Sequence, residues 1–359
     1  MIKYLGSKRT LLSTLISTLD TFPELRSVFD AFSGTSRCGH AFKGHGLRVV
    51  ANDHNTYAHT LATCYVEADL DDVLKPATQL LKEFQRLPGK AGYFTDQFCE
   101  RARFFQPHNG ARVDAIREAI EAKGLPDPLR SVVMTSLMEA ADRVDSTCGV
   151  QMAYVKRWAK RSFKDLELRM PDVLPAVDAG PCAALQLDVL DAAAQVQADI
   201  AYLDPPYNQH SYLSNYHIWE SLVRWDKPET YGVAHKRVDC RERKSDFNSK
   251  RRHKATFKSL LERLDAKLWL VSFSDEGYLS RRDLVEMLSA YGEVHVISRD
   301  FRRYIGAQIG IHNPKGERVG EVSHVRNQEY IYVVVTPALT ECAPDAVARL
   351  DQLAPLTNA

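Results

Sequence analysis

The sequence lacks the features that define several large classes of protein. Its seven cysteines among 359 residues are scattered and form no C-x-x-C pair, which argues against a disulfide framework and gives no support for a zinc site. No run approaches the roughly 18 apolar residues that a transmembrane helix needs. The chain also has almost no net charge, since 47 Lys and Arg against 46 Asp and Glu give +1. We therefore expect a globular cytoplasmic protein that binds no metal and no membrane.

The even balance of charge conceals strong local segregation. From His235 to Lys258, ten of the 24 residues are Lys or Arg and three are acids. Such a run is expected of a loop that follows nucleic-acid phosphates. A solvated, flexible face is the alternative, but ten cations in 24 residues make it the less favoured one. The candidate phosphate-binding residues are Lys236, Arg237, Arg243, Lys244, Lys250, Arg251 and Arg252. A second basic group, Arg157, Lys160 and Arg161, has helical spacing and could equally be one exposed helix face.

Apolar periodicity predicts an α/β protein. A helix is expected over residues 8–19, followed by strands at 27–32 and 48–53 with a helix between them, which makes a parallel β–α–β unit. Later apolar runs predict strands at 183–188, 199–204, 267–273, 293–297, 304–311 and 330–335, with a crossover helix at 284–288 and a hairpin turn at 313–316. Residues 68–180 have helical spacing interrupted by Gly and Pro, which predicts a largely helical insertion forming a second domain. Residues 341–359 are expected to form a C-terminal tail.

The most specific motif is Asp204-Pro205-Pro206-Tyr207, which directly follows an apolar strand. Neither proline can donate to a β-ladder, so the strand ends in a rigid turn. That turn is expected at the carboxyl edge of the sheet, where open α/β sheets bind ligands. An aspartate, prolyl carbonyls and a flat tyrosine ring suit an exocyclic amine on a nucleobase, which needs two acceptors and a stacking surface. The alternative is a Pro-rich loop whose aspartate caps the chain locally.

A second motif, from Asp30 to Gly39, contains Gly34. This glycine lets the chain turn tightly against a ligand, and the helix after it offers its N-terminus. Asp53 follows Gly34 by nineteen residues at the end of the next strand, which suits a carboxylate on ribose hydroxyls. The glycines do not match G-x-G-x-x-G, so no dinucleotide fingerprint is present. The segment at residues 3–8 contains an aromatic residue, a glycine and a lysine just before a helix, and these could contribute a stacking surface and a cation to the same ligand site. The alternative is that this segment is a solvated N-terminus.

Taken together, and in their order along the chain, these motifs resemble those of the Dam-like, D12 class of N6-adenine DNA methyltransferases (alpha group). The resemblance rests on Tyr4-Leu-Gly-Ser-Lys8, Asp30-Ala-Phe-Ser-Gly-Thr35, Asn52-Asp53 and Asp204-Pro-Pro-Tyr207, and it extends through residues 208–217. It covers about two-thirds of the chain, whereas residues 68–180 match only by position, since this class inserts its target-recognition region there. Ser36-Arg37-Cys38 departs from the Gly-x-Val or Gly-Ala of many members, which leaves the fine shape of the methionine pocket open.

The resemblance implies a Rossmann-like S-adenosylmethionine-dependent methyltransferase sheet. The catalytic domain would comprise residues 1–67 and 181–340, and residues 68–180 would recognise the target. The cofactor S-adenosyl-L-methionine would be bound by Tyr4, Lys8, Phe32, Gly34, Asp53, Asp188 and Asp204. Among these, Asp53 would accept from the ribose hydroxyls and Asp188 would face the cofactor's adenine. The catalytic residues Asp204, Pro205, Pro206 and Tyr207 would act on an adenine flipped out of the duplex.

The activity implied is sequence-specific methylation of adenine N6 in double-stranded DNA, with a cognate restriction endonuclease as a candidate partner. Asp before Pro-Pro favours adenine over cytosine, but some ribosomal RNA guanine-N2 enzymes also use Asp-Pro-Pro-Tyr. A ribosomal RNA base methyltransferase is therefore one alternative, and a catalytically silent nucleic-acid-binding module is another. The large insertion and the basic run favour duplex DNA.

Overall fold

A computed structural model of the chain describes residues 1–6, 8–155, 157–302, 311–312, 318–320, 326–345 and 350. The strands are β1 (Ser27–Asp30), β2 (Arg48–Asn52), β3 (Ala183–Leu185), β4 (Ile200–Leu203), β5 (Thr230–Tyr231), β6 (Lys236–Arg237), β7 (Leu268–Ser274), β8 (Glu293–Arg302), β9 (Ile311–His312), β10 (Arg318–Gly320) and β11 (Arg326–Val335). The α-helices are α1 (Leu12–Leu19), α2 (Arg37–Gly44), α3 (Thr56–Ala62), α4 (Leu70–Gln85), α5 (Tyr93–Thr95), α6 (Pro107–Lys123), α7 (Leu129–Arg143), α8 (Val189–Ala193), α9 (Tyr212–Asn215), α10 (His217–Arg224), α11 (His253–Leu261), α12 (Arg281–Leu288) and α13 (Pro337–Cys342).

Seven strands form one sheet in the order β3-β2-β1-β4-β7-β11-β8. The first five pair in parallel, whereas β11 is antiparallel to both of its neighbours. The predicted β–α–β unit is confirmed, because β1 and β2 are parallel and α2 connects them. From β1 the chain moves outward through β2 and β3 and then returns to β4 on the other side. The carboxyl ends of β1 and β4 therefore flank the point where strand order reverses, which is where open α/β sheets bind ligands.

Most predicted elements are found within a few residues of their expected positions. The helix expected at 8–19 begins as a 3-10 turn, Lys8–Thr10, and continues as α1. The strand expected at 304–311 and the turn at 313–316 lie outside the described residues, apart from the last residue of that strand. On either side of the turn, β9 and β10 pair antiparallel. They form a separate two-stranded sheet and not an extension of the main one.

Apolar side chains cover both faces of the main sheet. On one face, Leu15 of α1 and Phe42 of α2 are buried in a cluster with strand residues such as Val49. On the other face, Phe257 of α11 is buried with strand residues such as Val271. Parallel strands buried on both faces carry near-continuous apolar runs, which is why the sequence reveals them so clearly.

The inserted helices share a hydrophobic core with helices of the sheet region. Phe94, Phe105 and Leu137 of the insertion are buried in one cluster with Tyr57 of α3 and Trp219 of α10. The predicted helical character holds from α4 to α7, whereas the described residues between 144 and 182 are mainly loop, with a 3-10 turn at Lys160–Phe163. The insertion therefore packs against the helices beside the sheet, and its hydrophobic core continues into them.

The described residues contain no disulfide, no metal-binding cluster and no membrane-crossing helix. All seven cysteines are free. Within the described ranges, no group of three or more His, Cys, Asp or Glu side chains could hold a metal ion. None of the helices described there combines the length and apolar character that crossing a bilayer requires.

Candidate active site

A cleft lies at the carboxyl ends of β1, β2 and β4. Its empty volume is about 1010 Å³, part of which is open to solvent, a size typical of small-molecule and cofactor sites. The structure brings all seven predicted cofactor-binding residues to this cleft: Tyr4, Lys8, Phe32, Gly34, Asp53, Asp188 and Asp204. They converge because the loops after parallel strands emerge at the same edge of the sheet. The lining residues that sequence reasoning did not assign to the cofactor include Asp30, Arg37, Arg243 and Phe247.

The Gly-rich turn between β1 and α2 borders the cleft. Gly34 has a φ of +52°, in the left-handed region that favours glycine, and a Cβ atom added there would lie 3.3 Å from the Tyr4 ring. The Gly34 amide donates to Oδ2 of Asp53 over 3.1 Å, and the Asn55 amide donates to Oδ1 over 2.9 Å. Backbone bonds from two loops therefore hold the Asp53 carboxylate at the edge of the cleft.

Four buried polar atoms in the Gly-rich turn have no hydrogen-bond partner among the residues that the structure describes: Asp30 Oδ1, Ser33 Oγ, Ser36 Oγ and Arg37 Nε. The other Asp30 oxygen accepts from the Gly39 amide over 3.1 Å. Burial, reinforced by the negative charges of Asp204 and Asp53, raises the pKa of Asp30 to about 8. Since buried polar groups are normally paired, this turn has the donors and acceptors to bind a polar ligand.

Asp204 directly follows β4 and is paired with a buried lysine. Its Oδ1 lies 3.0 Å from Nζ of Lys8, which also lies 3.1 Å from Oε1 of Glu329. The Lys8 side chain is 4% exposed, whereas Asp204 keeps 20% and lines the cleft. Burial raises the pKa of Asp204 to about 6, although Lys8 opposes the shift. Burial disfavours the charge on Lys8, but Asp204 and Glu329 outweigh it and hold the pKa of Lys8 above its ordinary value.

The other three residues of the tetrapeptide turn the chain away from β4. Pro206 lines the cleft, whereas Pro205 and Tyr207 do not. The Tyr207 ring lies 5.8 Å from that of Phe273 on β7, centroid to centroid. The Tyr207 carbonyl accepts from the Tyr278 amide over 2.9 Å. The Tyr207 ring is therefore supported from behind by the sheet.

Three tyrosines that the sequence did not single out as ligands hold Tyr4 in position. The Tyr4 ring stacks on Tyr212 and Tyr216, with centroids 5.1 and 4.5 Å apart, and its hydroxyl lies 3.1 Å from that of Tyr57. The Tyr216 hydroxyl also accepts from the Leu5 amide over 2.6 Å. The spacing of four residues between Tyr212 and Tyr216 is the signal in the sequence that could have revealed this support.

The basic run divides into internal and exposed residues. Arg237 is 1% exposed, and its guanidinium nitrogens lie 2.7 Å from each carboxylate oxygen of Asp226. The structure therefore contradicts the predicted phosphate contact of Arg237, because an internal ion pair already uses this group. Arg243 is half-buried, is bonded to the buried Glu220 over 2.9 Å and lines the cleft. Lys236 is half-buried. Among the predicted phosphate-binding residues, the exposed ones are Lys244, Lys250, Arg251 and Arg252, which are called the exposed basic surface below.

The second basic group is also partly internal. Arg161 donates to Asp145 over 2.7 Å, whereas Arg157 and Lys160 are exposed. These residues lie in a loop and a 3-10 turn, so the alternative that they form one face of an α-helix is wrong.

Comparison with known proteins identifies the family to which this site belongs. The family model of the D12 class N6 adenine-specific DNA methyltransferases matches residues 4–287. That span includes the N-terminal string, the Gly-rich turn, Asp53 and the Asp204 tetrapeptide. The chain belongs to this family.

Curated relatives carry names that agree with the family. The type II methyltransferase M.NlaIII of Neisseria lactamica is 28% identical, over 92% of this chain and 100% of that protein. M.CviAII of Paramecium bursaria Chlorella virus 1 is 27% identical, over 84% of this chain and 92% of that protein. The modification methylase StsI of Streptococcus sanguinis is also 27% identical, but the chain spans only 49% of its length. The chain is therefore an adenine-specific DNA methyltransferase, which favours DNA over the ribosomal RNA and silent-module alternatives.

Proposed function

We propose that S-adenosyl-L-methionine is the methyl donor and that the cleft at the carboxyl ends of β1, β2 and β4 binds it. The main support is that motifs distant in the sequence converge on one cleft. The unpaired polar atoms also fit a ligand with both an ammonium and a carboxylate, since Asp30 offers an acceptor and Arg37 a donor. In this proposal Asp53 accepts from the ribose hydroxyls and Asp188 contacts the cofactor's adenine. When bound, the cofactor supplies an electrophilic methyl group.

The chain's own contribution is to prepare the amino group of the target adenine. That nitrogen is a poor nucleophile because its lone pair is delocalised into the ring. The Asp204 carboxylate accepts one of its hydrogens and the Pro205 carbonyl accepts the other, which draws the nitrogen toward tetrahedral geometry and frees the lone pair. Asp204 can then take up the proton that the amine releases. Catalysis is mainly positioning and electrostatics at one nitrogen.

Tyr207 provides a stacking surface for the flipped adenine in this proposal. An adenine inside a duplex cannot reach a cleft at the edge of a sheet, so it must leave the base stack. The Phe273 ring behind Tyr207 supports such a role. In this proposal Tyr207 positions the flipped base and takes no part in proton transfer.

The exposed basic surface is proposed to follow the phosphates of double-stranded DNA. Lys244, Lys250 and Arg251 are exposed, and Arg252 is exposed but lies 3.0 Å from Asp246. Residues 68–180 are proposed to recognise the target sequence. The names of the relatives favour a restriction–modification context, so a cognate restriction endonuclease is a proposed partner. Seven free cysteines suit a reducing compartment, and we propose the cytoplasm.

Asp53→Asn is expected to weaken binding of S-adenosyl-L-methionine about tenfold, because hydrogen bonds involving charged groups contribute about 1.5 kcal/mol or more. Isothermal titration calorimetry measures this directly. The matched control is Asp191→Asn, the same change at an exposed position of α8 that does not line the cleft. Unchanged affinity in Asp53→Asn would refute the ribose contact. Failure of the wild-type chain to bind this compound would refute the proposed cofactor.

The value of kcat/KM for the cofactor is expected to fall as the pH drops through about 6, the pKa to which burial raises Asp204. Above that pH the carboxylate is ionised and accepts a hydrogen from the amine, whereas below it the protonated group cannot. This kinetic parameter reports the ionisation of the free enzyme. Circular dichroism over the same pH range controls for unfolding. A rate that stays constant well below pH 6 in folded protein would contradict the acceptor role of Asp204.

A further inference from the structure

Lys8 lies between two carboxylates that come from opposite ends of the chain. Its ammonium is 3.0 Å from Asp204 and 3.1 Å from Glu329. Glu329 lies on β11, the antiparallel strand, and its side chain is 6% exposed. It does not line the cleft and is not part of any motif recognised in the sequence. Its hydrogen bond to Lys8 is therefore the contact that links Glu329 to Asp204.

Only one carboxylate oxygen of Glu329 has a hydrogen-bond partner among the described residues, and that partner is Lys8. Its Oε1 accepts from Lys8, whereas Oε2 is buried without a partner among the residues that the structure describes. An incompletely bonded buried carboxylate is unfavourable unless a nearby cation compensates. Lys8 is such a cation, and it is shared with Asp204. The two carboxylates therefore compete for one positive charge.

We propose that Glu329 is a positioning residue for methyl transfer, which acts through Lys8 to set the orientation of the Asp204 carboxylate and its strength as a hydrogen-bond acceptor. This inference rests on the proposed role of Asp204 at the adenine amine. Without the charge of Glu329, the full charge of Lys8 would act on Asp204 alone. The carboxylate would then be held more tightly by the ammonium and would accept less readily from the substrate.

Among the groups around Asp204, Lys8 and Glu329 have the largest influence on the ionisation of its carboxylate. The titratable groups that interact with Asp204 are Lys8, Asp30, Cys38, Tyr202, Tyr207, Tyr212 and Glu329. Lys8 is the cation in this set, and the tyrosines and the cysteine are neutral at physiological pH. Removal of the Glu329 charge therefore stabilises the ionised form of Asp204, because the attraction of Lys8 is no longer divided.

The test is Glu329→Gln, which keeps the shape of the side chain and removes its charge. Single-turnover methylation would be followed with radiolabelled S-adenosyl-L-methionine and plasmid DNA from a methylation-free host. We expect the rate at high pH to fall about tenfold, less than the roughly 10²-fold or more that a positioned acid–base group itself contributes, because Glu329 acts on Asp204 and not on the substrate. The acid limb of the pH profile should move to lower pH. Affinities for the cofactor and for DNA should be unchanged. Glu329→Asp, which keeps the charge, should leave the acid limb close to that of the wild type.

The matched control is Asp199→Asn, which removes the charged partner of another lysine at the opposite edge of the sheet. Asp199 Oδ1 lies 3.0 Å from Nζ of Lys267, and neither residue lines the cleft. This variant should keep the wild-type rate and pH profile. A wild-type rate and profile in Glu329→Gln would overturn the proposal. So would a lower rate without movement of the acid limb, because that pattern indicates a structural role only.

A separate variant tests the acceptor role of Asp204, on which the proposal for Glu329 rests. If Asp204→Asn methylates DNA at the wild-type rate, the acceptor role of Asp204 is wrong whatever Glu329 does. If Glu329→Gln does not fold, Lys8→Met provides the second measurement, since it removes the link between the two carboxylates. Addition of Glu329→Gln to Lys8→Met, where no buried ammonium requires the charge of Glu329, should then cause no further loss of rate. A further loss of rate in the double variant would overturn the proposal.

Discussion

Asp204→Ala is expected to abolish DNA methylation. Plasmid DNA from a methylation-free host that expresses the wild-type chain should carry N6-methyladenine at one short sequence motif, as read by single-molecule sequencing. DNA from cells with the variant should carry none, and the purified enzyme should lose at least about 10³-fold in rate, because both hydrogen-bond acceptance and proton uptake at the amine are removed. DNA affinity should change little, since Asp204 is not part of the exposed basic surface.

The structure indicates that Asp204→Ala can fold. Lys8 would keep Glu329 as an ion-pair partner at 3.1 Å, so the buried ammonium would not be left without a counter-charge. Asp191→Ala, at an exposed position outside the cleft, is the matched control and should methylate normally. Methylation by a well-expressed Asp204→Ala variant would refute the mechanism. Unmethylated DNA from cells with well-folded wild-type chain would refute duplex DNA as the substrate.

Simultaneous replacement of Lys244, Lys250 and Arg251 by alanine should have the second largest effect. These exposed side chains are proposed to neutralise DNA phosphates. The magnitude of the slope of log affinity against log salt should therefore fall by about 0.9 for each phosphate that is no longer neutralised. We expect DNA affinity to fall about 10- to 100-fold at low salt, equally for target and unrelated sequences, because binding to phosphates carries no direct sequence information. Fluorescence anisotropy at several salt concentrations measures both quantities.

A variant with the same change of charge controls for non-specific electrostatics. Arg26, Arg48 and Lys267 lie at the opposite edge of the sheet, where β1, β2 and β7 begin. Their replacement by alanine should leave the salt dependence close to that of the wild type. An equal loss of affinity in both triple variants would mean that net charge, and not this surface, governs DNA binding.

The positions of strands and of the Gly-rich turn could be predicted because their causes are local. Apolar runs mark strands that are buried on both faces, and Asp204 is recognisable because the two prolines after it end a strand. The cleft followed from those elements, since loops after parallel strands share one edge of the sheet. These elements were therefore accessible from the sequence.

Partners that are remote in the chain could not be predicted. Arg237 and Lys250 belong to the same basic run, yet one is buried against Asp226 and the other is exposed. Nothing in the spacing of the run distinguishes them, because the difference arises from how a hairpin packs. Glu329 is separated from Lys8 by 321 residues, and only the pairing of β11 beside β7 brings them together.

The shared core of the inserted helices has a consequence for engineering. Arg117 of α6 donates to the carbonyls of Leu222 and Val223 in α10, and Gln151 bonds to the backbone of Asn215 and Ile218 around α9. A chimaera that exchanged only residues 68–180 would break these bonds and expose apolar surface on α3 and α10. New specificities are therefore best sought by changing surface side chains, because this insertion is not a transferable cassette.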